Sequence, residues 1–223
     1  DSVGTYDERV YEKARALIRM REQDGTFLKE ETPCYYIYEL VMDGRVQTGI
    51  VACASIDDYE NDIIRKHEKT REDKEMDRIH HVDRCNAQTG PIFLAYRQQK
   101  ALSDLVMKTK IETPIYQFMA EDGVRHTVWR ISETETLQRI EKAFAKVDHI
   151  YIADGHHRAA SAVKVGLKRR RENPGYDGRE EFNYFLSVLF PDSELTILPY
   201  NRAVKDLNGY TKEQFLERVA EHF

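Results

Sequence analysis

The sequence predicts an α+β fold built on a mixed β-sheet, and three patterns support this prediction. Asp-Gly pairs at 43–44 and 122–123 join apolar, β-branched segments into two hairpins. Apolar residues at helical spacing occur between the hairpins. A third pair, Asp154-Gly155, ends a strand and leads directly into a helix. Hairpins mixed with helices in this way are typical of α+β proteins.

The N-terminal half is predicted to place helices on both sides of the first hairpin. Apolar residues between Tyr6 and Ile18 share one helical face, and Asp24-Gly25 is the expected helix end. A long, highly charged segment after the hairpin has a helical composition. The expected elements are a helix over about 6–22, strands over 35–42 and 46–52, a charged helix over about 57–84, a strand over 92–96 and a helix over 99–108.

The C-terminal half is predicted to continue this alternation. Leu137, Ile140, Phe144 and Val147 mark a helix by their spacing. The final helix starts with a capping box in which Thr211 is followed three residues later by Gln214. The other expected elements are strands over 127–131, 151–154, 182–190 and 195–204, and a helix from about 156 to 171.

The length of 223 residues fits one α+β domain over 1–223 or two closely packed subdomains over about 1–110 and 111–223. The chain has no initiating Met, and its last helix stops after three turns. We therefore expect a fragment of a longer chain.

The charge balance argues against a general nucleic-acid surface. The chain carries 34 basic and 39 acidic residues, a net charge of −5, so nucleic-acid binding would need a local basic patch. The basic run Lys168–Arg171 is interpreted as the end of a helix, where cations complement the helix dipole.

The cysteines and the apolar pattern predict a cytoplasmic protein. Cys34, Cys53 and Cys85 are odd in number and lack a CxxC spacing, which indicates buried free thiols in a reducing compartment. No apolar stretch reaches membrane-spanning length, and the N-terminus does not resemble a signal peptide.

The segment Tyr151–Arg158 is the strongest candidate site. An apolar strand stops at Asp154-Gly155, and His156, His157 and Arg158 begin a helix. Free amides and the positive end of a helix dipole face one point in such a unit. Adjacent Arg and His side chains make it suited to phosphate. We call residues 154–158 the anion cradle; the alternative is a solvated strand-to-helix connection.

A second candidate is the run His67-Glu68-Lys69-Thr70-Arg71 within the charged segment. It provides a base, cations and a hydroxyl within one or two helical turns. The alternative is a solvated helix face, which the like-charge pairs Glu68/Glu72 and Asp73/Asp77 disfavour. A zinc-protease HExxH motif is excluded because position 71 is Arg.

Three weaker candidates remain open between surface and site. His80-His81, Asp83 and Cys85 carry metal-binding atoms without a known spacing. Arg125 and His126 follow the Asp122-Gly123 turn. Asn201-Arg202 would lie at the end of the strand expected over 195–204.

Four strings resemble the family called domain of unknown function 1015. They are His67-Glu68-Lys69-Thr70, Phe93-Leu94-Ala95-Tyr96, Tyr151-Ile152-Ala153-Asp154-Gly155-His156-His157-Arg158 and Leu198-Pro199-Tyr200-Asn201-Arg202. The resemblance covers essentially the whole chain. Proteins of that family are longer than this chain, which agrees with the expectation of a fragment.

The Asp154–Arg158 string is also similar to a loop of free L-serine kinases, which have a ParB/sulfiredoxin-like fold. This resemblance implies a ParB/sulfiredoxin-like core around the strand, the Asp-Gly-His-His-Arg loop and the helix. It also implies phosphoryl transfer to the hydroxyl of free serine, with ATP, ADP or pyrophosphate as donor. This chain departs from those kinases in the long segment between the His67–Thr70 run and the loop.

The hypothesis assigns roles on this basis. Glu68 would accept the hydroxyl proton, and Asp154, His156 and His157 would be further catalytic residues. Asp154 is the candidate Mg²⁺ ligand. The expected phosphate-binding residues are Lys69, Thr70, Gly155, His156, His157 and Arg158, with His67, Arg71, His126, Asn201 and Arg202 as additional candidates.

Two other functions use the same cradle. One is a ParB-type regulatory module that binds nucleotide or phosphate. The other is a phosphatase in which water replaces the serine-like acceptor. Phosphate release measured with and without serine separates the phosphatase from the kinase.

Overall fold

The computed structural model describes residue 4 and residues 6–70, 72–199 and 201–222, and for 72–74 it describes the backbone alone. Over these residues the helices are α1 Glu8–Gln23, α2 Ile56–Glu60, α3 Glu72–Cys85, α4 Lys100–Thr109, α5 Thr134–Phe144, α6 His156–Glu172 and α7 Lys212–Ala220. The strands are β1 Tyr35–Met42, β2 Arg45–Ser55, β3 Ile64–Arg65, β4 Ile92–Tyr96, β5 Tyr116–Met119, β6 Arg125–Ile131, β7 Ile150–Asp154 and β8 Tyr184–Pro191.

The strands form one eight-stranded sheet in the order β3-β7-β4-β8-β2-β1-β6-β5. The pairs β3/β7 and β4/β8 are parallel and the other pairs are antiparallel. The predicted α+β class with a mixed sheet is therefore confirmed. Strands from the two halves of the chain interleave in the sheet, while the proposed division into subdomains stays a prediction.

Both predicted hairpins are present, and their Asp-Gly turns have the expected backbone. Asp43 (φ 51°) and Gly44 (φ 77°) both adopt the left-handed region between β1 and β2. Two positive φ values in succession are typical of the type I′ turn that matches the twist of paired strands. Gly123 (φ 80°) occupies the corresponding turn between β5 and β6.

Helix α6 packs closely against the sheet because its inner face carries small residues. Ala159, Ala162 and Val163 lie in the main hydrophobic core with Leu94 and Ile152 of the sheet. Alanines allow the helix backbone to approach the strands without voids. The beginning of α6 is thus held at the end of β7.

The basic residues at the end of α6 form ion pairs with neighbouring helices. Lys168 Nζ lies 2.5 Å from a carboxylate oxygen of Asp83 on α3. Arg170 forms two hydrogen bonds, of 2.6 and 2.8 Å, with the carboxylate of Asp57 on α2. These pairs support the interpretation of the run as a helix end that joins α6 to its neighbours.

The expected helix over 57–84 is wrong in its middle part. Asp62 (φ 59°) adopts the left-handed region after α2, and Ile64 then pairs with Ile150 in the short parallel strand β3. Ile64 is completely buried, so burial of this side chain outweighs the helical composition around it. Residues 66–70, which we call the loop 66–70, have no helix or strand.

The strand expected over 195–204 is also wrong for the described residues of that range, none of which lies in a strand. The preceding strand β8 is already paired with β4 on one side and β2 on the other. After β8 the chain forms a short 3-10 turn at Asp192–Glu194. Ile197 is 98% exposed, so its side chain gains no burial that would favour a strand.

The three cysteines are free thiols, as expected, but their burial differs from the expectation. Cys85 is buried, Cys34 is partly buried and Cys53 is exposed. None of the described helices combines the length and the apolar character that crossing a membrane requires.

Candidate functional site

The candidate site lies where β7 ends and α6 begins. Gly155 has a φ of 92°, a left-handed conformation, and forms the N-cap of α6. The Ala159 amide donates to the Gly155 carbonyl at 2.9 Å. A helix start of this kind directs its first-turn amides outward, and the positive end of the helix dipole lies at the same place.

The anion cradle lines an open cavity of about 500 Å³. The cavity also contacts one residue of the loop 66–70 and two residues of α3. Its lining residues are Tyr6, Glu68, Asp77, Arg78, Asp154, Gly155, His156, His157 and Arg158. Two separate candidates from the sequence, Glu68 and the cradle, are therefore brought together.

The Arg158 side chain is directed back to the end of β7. Its Nη2 donates to Asp154 Oδ2 at 2.7 Å and its Nη1 donates to the Pro91 carbonyl at 2.5 Å. The guanidinium is therefore held in a defined position, and its charge is partly balanced by Asp154. The Asp154 side chain is 72% exposed, which leaves its second carboxylate oxygen accessible to the cavity.

His156 is the buried side chain of the site. Its Nδ1 lies 3.4 Å from Glu68 Oε2, and its ring packs edge-to-face against His67 with 4.4 Å between ring centroids. Burial lowers the pKa of His156, and the neighbouring His67 lowers it further. The buried Nε2 has no hydrogen-bond partner among the described residues. His156 is thus a neutral imidazole that contacts Glu68.

The loop 66–70 carries its residues in different directions. Glu68 contacts the cavity, whereas the Thr70 hydroxyl donates to the carboxylate of Glu75. Lys69 is exposed and is not one of the cavity-lining residues. Arg71 lies outside the described residues. The expected helix that would present these groups together is therefore replaced by a loop that presents Glu68.

Sequence reasoning did not identify the contribution of α3. Asp77 and Arg78 line the cavity, and the Tyr11 hydroxyl donates to Asp77 Oδ1 at 2.7 Å. Burial, together with this bond to Asp77, raises the pKa of Tyr11 to about 12. Both α3 residues belong to the charged segment, but composition does not distinguish them from its many other charged residues.

The additional candidates His126, Asn201 and Arg202 do not line the cavity. His126 Nδ1 bonds to the Tyr38 hydroxyl at 2.7 Å, and its ring stacks on Phe118. His126 lies on β6, five strand positions from β7, a distance of about 24 Å at the usual strand spacing. Asn201 and Arg202 are exposed and do not line the cavity.

Two of the candidate metal ligands around His80 and His81 have other partners. His80 stacks on Tyr11, and Asp83 pairs with Lys168. Across the described part of the chain, no group of three or more His, Cys, Asp or Glu side chains is arranged to hold a metal ion.

Position 155 requires glycine because of its backbone conformation and because of the Arg158 atoms beside it. A Cβ at this position would lie 3.1 Å from both Nε and Nη2 of Arg158, at a φ of 92° that L-residues rarely adopt. We expect Gly155→Ala to lower the free energy of unfolding by about 1 kcal/mol. Urea denaturation measures the loss. Gly175→Ala is the control, because a Cβ there meets nothing within 4 Å and the φ of Gly175 is not positive. Equal stability of the two variants would contradict the expected backbone strain of alanine at position 155.

Comparison with known proteins places the chain in a family without assigning it an activity. No curated protein and no solved structure matches it. A family model described as protein of unknown function (DUF1015) matches residues 1–223. The chain therefore belongs to the DUF1015 family, as the four strings predicted.

Proposed function

We propose that this protein is a small-molecule kinase that transfers a phosphoryl group from ATP, ADP or pyrophosphate to the hydroxyl of free L-serine. The observation that carries the proposal is that the Glu68 carboxylate and the start of α6 line the same cavity. The similarity of Asp154–Arg158 to the loop of free serine kinases supports it. A ParB/sulfiredoxin-like core around β7 and α6 is part of the proposal.

The anion cradle would bind the phosphates of the donor. Backbone amides at the start of α6 and the Arg158 guanidinium provide hydrogen bonds to phosphate oxygens, and the helix dipole favours their charge. Arg158 already bonds to Asp154 and Pro91, so little side-chain entropy is lost when a phosphate adds to this arrangement.

Glu68 would act as the general base. As the serine Oγ–P bond forms, the hydroxyl proton passes to the Glu68 carboxylate. The bond between the transferred phosphorus and the donor's bridging oxygen breaks, which releases ADP, AMP or phosphate according to the donor. The neutral His156, 3.4 Å from Glu68, would orient this carboxylate. Phosphoryl transfer depends mainly on such positioning and on charge neutralisation.

Asp77 and Arg78 would recognise the acceptor. A free amino acid carries an ammonium and a carboxylate, so its site needs one anionic and one cationic group. Asp77 and Arg78 line the same cavity as Glu68 and offer this pair. Arg78 is exposed and has no ion-pair partner among the described residues, so it is available to a carboxylate.

The residues of the cavity fit a Mg²⁺ ion that is held mostly by the donor. Mg²⁺ usually takes one or two carboxylates together with water and phosphate oxygens. Asp154 would supply a carboxylate oxygen beside the cradle, where its side chain is 72% exposed. The ion would neutralise charge on the donor phosphates.

The direct test is to incubate the full-length protein and Mg²⁺ with serine and each donor, and to detect phosphoserine by mass spectrometry. Phosphoserine formation with at least one donor is the expected result. Phosphate release that does not depend on serine would identify a phosphatase instead. Nucleotide binding without turnover, accompanied by salt-dependent DNA binding, would favour the ParB-type regulatory module.

Arg158→Ala tests the cradle. We expect the KM for the donor to rise about tenfold, because one charge-assisted hydrogen bond from Arg158 to a phosphate oxygen contributes about 1.5 kcal/mol to donor binding. The other hydrogen bonds of Arg158 go to Asp154 and the Pro91 carbonyl. Steady-state kinetics at saturating serine measure this. Arg171→Ala is the matched control, since Arg171 is an exposed residue at the other end of α6. An unchanged donor KM in Arg158→Ala would remove Arg158 from the cradle.

A further inference from the structure

Glu75 is a buried carboxylate that the proposed reaction does not use. It lies on α3, is 4% exposed and does not line the cavity. Its carboxylate accepts hydrogen bonds from the Thr70 hydroxyl and from Lys164 Nζ on α6. The Ser161 hydroxyl on α6 donates to the His157 carbonyl at 2.6 Å and also lies 3.2 Å from the Glu75 backbone carbonyl oxygen. Three parts of the chain therefore meet at this residue.

The carboxylate of Glu75 is charged in its buried position. Burial acts to raise its pKa, but the bonds from Lys164 and Thr70 and the positive charge of Lys164 outweigh burial, so the pKa lies below its usual value. An ionised carboxylate is stable in the interior only when its oxygens are paired in this way. Loss of either partner would leave a buried charge without full compensation.

The loop 66–70 is attached at both ends. At its beginning, Lys66 Nζ bonds to the Tyr59 carbonyl at 3.0 Å and lies 4.0 Å above the Tyr59 ring. At its end, Thr70 bonds to Glu75. Glu68 lies between these attachments and has no secondary structure to hold it. The bond between Thr70 and Glu75 therefore restricts the segment that places Glu68 beside His156.

We propose that Glu75, bonded to Thr70 and Lys164, is a positioning residue that holds the loop 66–70 against α6 and thereby keeps Glu68 beside His156. The catalytic consequence rests on the proposed function, in which Glu68 is the base. The structural part, attachment of the loop to α6, is independent of any activity.

Thr70→Val and Glu75→Gln test the attachment. Valine keeps the shape of threonine without its hydroxyl, and glutamine removes the charge that bonds to Lys164. We expect amide hydrogen exchange in the loop 66–70 to become about tenfold faster in both variants, because a bond to a charged group restrains local opening by about this factor. Thr70→Ser retains the hydroxyl and should exchange at the wild-type rate.

Glu172→Gln is the matched control. Glu172 forms an i,i+4 pair with Lys168, with 3.6 Å between Oε1 and Nζ, and it lies about two helical turns beyond Lys164 at the end of α6. Loop exchange should not change in this variant. If Glu75→Gln fails to fold, Thr70→Val alone tests whether Glu75 holds the loop 66–70. Wild-type exchange in a folded Thr70→Val would overturn the attachment.

Kinetics test the catalytic consequence. In Thr70→Val we expect kcat for serine phosphorylation to fall about tenfold while the donor KM stays unchanged, because the donor contacts lie on α6. Faster loop exchange with an unchanged kcat would overturn the positioning role. If the wild-type protein forms no phosphoserine, the proposed function fails, and the exchange measurements still decide whether Glu75 holds the loop.

Discussion

Replacement of Glu68 by glutamine is expected to lower kcat for serine phosphorylation about a thousandfold, the range typical for loss of a general base. Glutamine has nearly the same shape as glutamate, but its amide cannot accept the hydroxyl proton. The Glu68 Oε2 atom lies 3.4 Å from His156 Nδ1, so the substitution is tolerated sterically. Initial rates at saturating serine and donor measure the loss.

The donor KM should change little in Glu68→Gln, because the proposed phosphate contacts lie on the amides of α6 and on Arg158. Glu60→Gln is the control. Glu60 is an exposed carboxylate at the end of α2, on the other side of β3 from the loop 66–70, and its substitution should leave kcat unchanged. A kcat within a few-fold of wild type in Glu68→Gln would assign the base to another group.

Elements whose signal is local could be predicted from the sequence. The hairpin at Asp43-Gly44 is an example, because positive φ at both turn residues depends on the residues of the turn itself. The capping box of α7 is another: Thr211 and Gln214 exchange the predicted side-chain and backbone bonds. The strand–turn–helix unit at Asp154-Gly155 belongs to the same class.

Elements that depend on distant partners could not be predicted. The strand β3 has two residues and exists because Ile64 pairs with Ile150, far along the chain. The segment after β8 has apolar residues such as Ile197 that remain exposed, so no burial favours a strand there. In both cases burial by distant parts of the chain, or its absence, outweighed local composition.

The residues of the candidate site also fall into these two groups, those with a local sequence signal and those that depend on distant partners. The anion cradle is contiguous in sequence, and its residue types reveal its chemistry. The contributions of Asp77 and Arg78 depend on α3 packing beside α6, and the Glu75–Lys164 pair joins residues 89 positions apart. No local pattern in a segment rich in charge distinguishes these residues from their neighbours.

Gly166 should be one of the positions least tolerant of substitution, although it lies in the interior of a helix. We expect Gly166→Ala to lower the free energy of unfolding by about 2 kcal/mol. Alanine gains about 1 kcal/mol of helix propensity over glycine. However, its Cβ would lie 2.4 Å from the Phe182 carbonyl oxygen and 2.8 Å from Ile56 Cδ1, and overpacking of this kind costs about 3 kcal/mol. Urea denaturation followed by circular dichroism measures the net loss.

The overlap with the Phe182 carbonyl decides whether Gly166→Ala stabilises or destabilises the protein, because a backbone atom cannot rotate away as a side chain can. The double variant Gly166→Ala/Ile56→Val separates the two contacts: valine lacks Cδ1, so only the overlap with the carbonyl remains. We expect the double variant to lose less stability than the sum of the single variants, yet to remain less stable than Ile56→Val alone. A Gly166→Ala protein as stable as wild type would mean that α6 can move away from residues 181–183. In that case α6 would not be held firmly enough to fix the position of the anion cradle at its other end.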